Sequence, residues 1–215
     1  MISTQLFVTY SQSELFVIEM ELKELRDIVI SAVALAFVFV YQGFDNLEAS
    51  IALLPFGILT VSTSFVLHEL GHRAFARKYN FHAEYKMWPR GLMLALLLAI
   101  ASNGSFAFAA PGAVMIMPRA DLWGRFRPMS IKAYGIISGV GPLINIILAV
   151  GFLTAAIVLN ASILLFGASV NAWLAIFNML PFGPLDGTKV LAWDKRIWLA
   201  LMAGAVAMFA LVQII

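Results

Sequence analysis

Polar positions in this sequence gather in short clusters between long apolar blocks. Stretches free of Asp, Glu, Lys and Arg run from Ile28 to Phe44, Ala49 to Leu67, Gly91 to Pro118, Ala133 to Leu185 and Ile197 to Ile215. Each approaches or exceeds the roughly 20 residues with which a helix crosses a hydrocarbon core. The pattern predicts membrane spans at 28–44, 51–75, 133–159, 163–186 and 197–215. The block from Ala133 to Leu185 is too long for one helix rising about 1.5 Å per residue through a ~30 Å core, so it is predicted to turn near Asn160 to Ser162. The expected fold class is an all-α polytopic membrane protein of about five transmembrane helices.

Two segments break this pattern. Gly91, Gly104, Pro111, Gly112 and Pro118 interrupt the block at 91–118, Ser102 to Ser105 offers a turn, and Ser105 to Met117 is a run of small, aromatic and β-branched residues. The segment is predicted to be a re-entrant hairpin or a membrane-embedded β-hairpin of extended strands, shielded by protein or water because lipid cannot satisfy open backbone groups. Two very short helices are the alternative. Residues 1–27 are expected to form an interfacial segment, with short extended runs at Leu6 to Tyr10 and Leu15 to Met20 and a helix at Met20 to Asp27.

Composition agrees with a bilayer protein. The chain has 215 residues, 62% of them apolar and 12% charged, against roughly a quarter charged in soluble domains. Its mean hydropathy is +0.92. A net charge of +2 gives no basic field for nucleic acid, and the absence of cysteine excludes disulfides. Glu14, Glu19, Glu21 and Glu24 precede the first apolar block, whereas a secretory signal opens on basic residues. The amino terminus is therefore expected to be retained.

The 14 cations fix an expected orientation. The loop between the spans at 28–44 and 51–75 has none, nor does the turn near Asn160. All of them fall on one side if 91–118 crosses the membrane an even number of times. Lys and Arg at span ends favour the cytoplasm. That side is also where the sequence concentrates its chemistry.

The span at 51–75 contains His68-Glu69-Leu70-Gly71-His72, an H-E-x-x-H motif. On a helix, residues four apart share a face, so both imidazoles can bind one zinc while Glu69 stands beside the attacking water as general base. Ionisable groups inside a span are costly and usually functional. The bland alternative is a set of interfacial side chains satisfied by water or by Arg73 and Arg77. Phe75 and Lys78 occupy the positions of the glycine and last histidine of the longer metzincin motif, which excludes that class. Glu84, Asp121, Asp186 and Asp194 are then the candidate third ligands. Glu84 reads as a solvated acid in a charge-rich surface loop. Asp186 is the preferred ligand, because Pro181, Gly183, Pro184 and Gly187 must break the helix around it at the depth of His72.

With these residues the chain resembles the site-2 protease family of intramembrane zinc metalloproteases. The match rests on His68 to His72, on Gly139-Val140-Gly141-Pro142-Leu143-Ile144-Asn145, and on Asn178 through Leu185-Asp186-Gly187. It spans the family's three-helix core, from about Ile51 to Lys189. The resemblance implies a single protease domain over 1–215, with one zinc held by His68, His72 and Asp186 and with Glu69 as base. It also implies a place near the scissile carbonyl for Asn178 and Asn145. Both asparagines can also be read as glue between helices. The implied partners are the lipid bilayer and transmembrane protein substrates, cut near the cytoplasmic face. Ser105 to Met117 matches the family's membrane-embedded strands, an expected dock for an unwound substrate. The PDZ and CBS modules common among relatives have no room here. The rival expectation is a non-catalytic membrane protein that binds a transmembrane partner or a metal ion.

Overall fold

A computed structural model describes residues 22–118 and 128–215. The expected extended runs before Leu22, together with Arg119, Asp121, Arg125 and Arg127, lie outside the described residues. Helix α1 spans Leu22–Val40, so the interfacial helix expected to end at Asp27 is the first part of this longer helix. Gly43, at a φ of 92°, and a single 3₁₀ turn at Phe44–Asn46 reverse the chain into α2, Leu47–Lys78. Asn80, at a φ of 63°, turns it again into strand β1, Phe81–Met87. Helix α3 is Pro89–Ala101 and strand β2 is Gly112–Pro118. Beyond the undescribed stretch come α4, Ile131–Val158, and α5, Ile163–Asn178. The short α6, Asp186–Trp193, and α7, Lys195–Ile214, follow.

Helix α4 is the hub of the bundle and packs on α2, α5, α6 and α7, while α1 leans on α2 and β1. Among the described residues, three helical stretches are long and apolar enough to cross a membrane: Phe44–Lys78, Ile131–Val158 and Lys195–Ile214. Only 11% of the apolar window of α7 is buried within the protein, which leaves most of that helix's apolar surface exposed. Helices α3 and α5 are apolar but shorter, at 13 and 16 residues. The turn expected near Asn160 is present, with Asn160 itself at a φ of 50°.

Three expectations need correction. The segment 91–118 is not a β-hairpin: its first part is helix α3, its turn is Ser102 to Ser105, and only its end is a strand. The partner of that strand is β1, in antiparallel register from Phe81 opposite Pro118 to Met87 opposite Gly112. The chain thus enters as a helix and returns as extended backbone to the place it left. Glu84 is accordingly in a strand and not in a surface loop. A signal for this was present, since Phe81, Ala83, Tyr85 and Met87 alternate with His82, Glu84 and Lys86, the period of a half-buried strand. The buried positions are Phe81, Ala83 and Tyr85. The span expected at 163–186 is also shorter, because α5 ends at Asn178 and residues 179–185 are irregular.

The small sheet has unequal edges. One edge of β2 pairs with β1, and no strand covers the other among the described residues. The outer edge of β1 is closed by carboxylates from α1. Tyr85 N–H donates to Glu24 Oε1 at 3.0 Å and Met87 N–H points to Asp27 Oδ2 at 3.4 Å. Carboxylates here take the place of a third strand and satisfy backbone donors that would otherwise be open.

Candidate metal centre

Helix α2 carries His68 and His72 on its buried face, one turn apart, with Glu69 beside them. Asp186 arrives from the opposite direction as the first residue of α6. The irregular run before it is held by its own contacts: Trp198 Nε1 donates to Met179 O at 2.8 Å. A side chain at Gly187 would collide with the Met179 carbonyl, so only glycine lets α6 start this close to the end of α5.

These elements bring three ligand atoms together. His68 Nε2 and His72 Nε2 lie 3.0 Å apart, and Asp186 Oδ2 lies 3.4 Å from the first and 3.0 Å from the second. Zinc bonds of about 2.0–2.1 Å in tetrahedral geometry set donor atoms roughly 3.3 Å apart. The three residues are buried, with relative exposures of 4%, 5% and 8%.

The imidazoles also face the right way. His72 Nδ1 is 2.8 Å from Ile137 O, a carbonyl that can only accept, so its proton sits on Nδ1 and Nε2 is bare. His68 Nδ1 pairs with Asn145 Oδ1. Two bare nitrogens and a carboxylate oxygen this close repel one another unless a cation lies among them. Helix α4 keeps the space open: a Cβ at Gly141 would stand 2.5 Å from both Nε2 atoms. The residues therefore fit a zinc ion in donor type, spacing and cradle.

Glu69 is buried beside this cluster, and its Oε2 has no hydrogen-bond partner. A cavity of about 320 Å³ joins it to the three ligands and extends over β2 from Gly112 to Ile116. Asn178 and Lys189 line the same cavity. Lys189 Nζ is 3.3 Å from Asp186 Oδ1, so the outer oxygen of the third ligand is paired with a cation.

The remaining candidates divide clearly. Asn178 donates to Leu174 O at 3.0 Å and lines the large cavity. Asn145 is fully buried behind His68 and does not line the large cavity. Glu84 Oε2 lies 3.8 Å from Lys86 Nζ and is not part of the triad. Asp194 caps α7, accepting from Arg196 N–H and Ile197 N–H. Sequence reasoning missed Asn171, which is fully buried and joined to Asn145 at 3.0 Å. Its signal was weak but present: an amide in the middle of an apolar block.

No protein-family model matches the chain, and no solved structure matches it. Two curated relatives do. A protein of Methanocaldococcus jannaschii named “Putative zinc metalloprotease” is 36% identical over 181 residues, covering 82% of this chain and 87% of that protein. A Bacillus subtilis protein with the same descriptive name is 25% identical over 162 residues, covering 66% of this chain and 69% of that one.

Proposed function

The chain belongs to the zinc metalloprotease family of its Methanocaldococcus relative, and from that premise we propose that it is an intramembrane endopeptidase of the site-2 protease type. It hydrolyses peptide bonds in transmembrane segments of other membrane proteins, near the cytoplasmic face. The observation that carries this reading is the meeting of His68, His72, Asp186 and Glu69 in one buried cavity at the end of a membrane-length helix. In this topology α1, α2, α4, α5 and α7 cross the bilayer, and α3 with β2 forms the re-entrant element. One zinc per chain is held by the three ligands.

Zinc bound there supplies a Lewis acid that polarises the scissile carbonyl and acidifies water. Glu69 takes a proton from the attacking water at its unpartnered Oε2 and delivers it to the leaving amine, so that the base of one half-reaction is the acid of the other. Lys189, paired with Asp186, holds that ligand against rotation away from the histidines. Asn178 lines the cavity wall, and the Nδ2 proton that it does not give to Leu174 O donates to the developing oxyanion.

The substrate is received by β2. A helical segment hides its peptide bonds inside its own hydrogen bonds, whereas the edge of β2 that no strand covers among the described residues offers backbone donors and acceptors to an unwound strand. The closing of the β1 edge by Glu24 and Asp27 favours this assignment, because it leaves one edge of the sheet open. The decisive experiment is cleavage of a generic transmembrane test substrate by purified protein in detergent, with zinc quantified in the same samples. Wild type is expected to carry one zinc and to cleave. Zinc without cleavage would sink the protease reading.

A further inference from the structure

His68 and His72 present their Nε2 atoms to the same point by different means. His72 donates from Nδ1 to a backbone carbonyl, which leaves no choice of tautomer. His68 faces the side-chain amide of Asn145, and an amide can turn either its oxygen or its nitrogen to a partner. The surrounding hydrogen bonds remove that choice. Asn145 Nδ2 lies 3.0 Å from Asn171 Oδ1 and 3.4 Å from Ser64 O. Asn171 Nδ2 lies 2.9 Å from Gly167 O and 2.8 Å from Ser64 Oγ. The Ser64 hydroxyl donates to Thr60 O at 2.7 Å.

Every branch of this network ends on a carbonyl that can only accept. Turning Asn171 over would set its oxygen against Gly167 O, and turning Asn145 over would set its oxygen against Ser64 O. Ser64, Asn145 and Asn171 have no exposed surface, so solvent cannot relieve either clash. One assignment remains, with Asn145 Oδ1 facing His68 and His68 as the donor.

We infer that Asn171, acting through Asn145, is a positioning residue that holds the His68 proton on Nδ1 and so bares Nε2 for the metal. The relay ties α2, α4 and α5 to the state of one ligand. It deepens the proposed function, on which its purpose rests, but the position of the proton can be read without metal or substrate.

The test is side-chain ¹⁵N NMR of histidine-labelled protein in detergent, metal-free and zinc-loaded, with zinc affinity measured by chelator competition. The chain has three histidines, and the exposed His82 serves as an internal reference. Wild-type His68 is expected to carry its proton on Nδ1 in both states. Asn145→Leu removes the acceptor, moves the metal-free proton toward Nε2 and weakens zinc binding about 10–100-fold. Asn171→Leu acts in the same direction by a smaller factor, because Ser64 O still engages the Asn145 amide. Asn145→Asp keeps an acceptor against Nδ1 and is expected to retain the Nδ1 proton and to bind zinc more tightly than Asn145→Leu. Neutral wild-type His68 with its proton on Nε2 would overturn the relay, and that measurement needs no variant to fold. So would an Asn171→Leu protein identical to wild type in both readouts. A protein with the Nδ1 proton in place and no peptide cleavage keeps this inference and loses the protease reading; the reverse pattern loses only the relay.

Discussion

Two buried clusters flank the C-terminal end of α2, and they differ in how completely their carboxylates are engaged. In the first, Glu24 accepts from Arg73 with both oxygens, at 2.9 and 3.0 Å, and from Tyr85 N–H. In the second, three lone pairs converge on one point and Glu69 Oε2 has no partner. Both clusters are more than nine-tenths buried. Burial alone therefore does not distinguish structure from chemistry here. A group whose capacity is filled by the fold holds the fold together, and a group left with unfilled capacity is available to a metal, a water or a substrate.

The sharpest break in this comparison is Asp186→Ala, which is expected to reduce zinc from one equivalent to none and to abolish cleavage. Metal analysis of the purified variant checks it, and zinc retained at full stoichiometry would remove Asp186 from the ligand set. Glu69→Gln comes next: zinc stays while kcat falls by about 10²–10⁴-fold, the usual worth of a general base. Cleavage at the wild-type rate in that variant would end the assigned role. Asn178→Ala is expected to lower kcat about 10²-fold, with little change in KM, if its amide meets the oxyanion. A change confined to KM would move Asn178 to substrate binding. Glu24→Ala should touch chemistry least. It removes the buried carboxylate that accepts from Arg73 and from Tyr85 N–H, and breaking that pair is expected to cost about 3–5 kcal/mol of stability, read by thermal unfolding, while zinc content at low temperature is unchanged. Loss of zinc without loss of stability would show that the two clusters are one.

The sequence exposed the open cluster more readily than the closed one, for a physical reason. His68, Glu69 and His72 are near neighbours on a single helix, and helical spacing alone puts the two histidines on one face. Asp186 was legible because prolines and glycines around it had to end a helix there. Nothing local announces that Glu24 meets Arg73, which is 49 residues away, or that Asn145 meets Asn171 across α4 and α5. Those pairings are consequences of how helices pack, and a periodicity shows faces without showing partners. The β1–β2 pairing was missed for a different reason. The alternation in Phe81 to Met87 is legible, but the charges in the same segment point to a solvated loop, and only carboxylates from another element make this charged strand a buried one.

The contrast in length between α2 and α5 has a consequence for the bilayer. Helix α2 has 32 residues and α5 has 16, or roughly 48 Å and 24 Å at the α-helical rise. A hydrocarbon core is about 30 Å thick. In the proposed topology the bilayer must thin beside α5, or the irregular run to Asp186 must lie below the headgroups. Acyl chain length then governs how far the metal centre is submerged and how readily water reaches it. On the proposed function, bilayer thickness alone would then regulate hydrolysis.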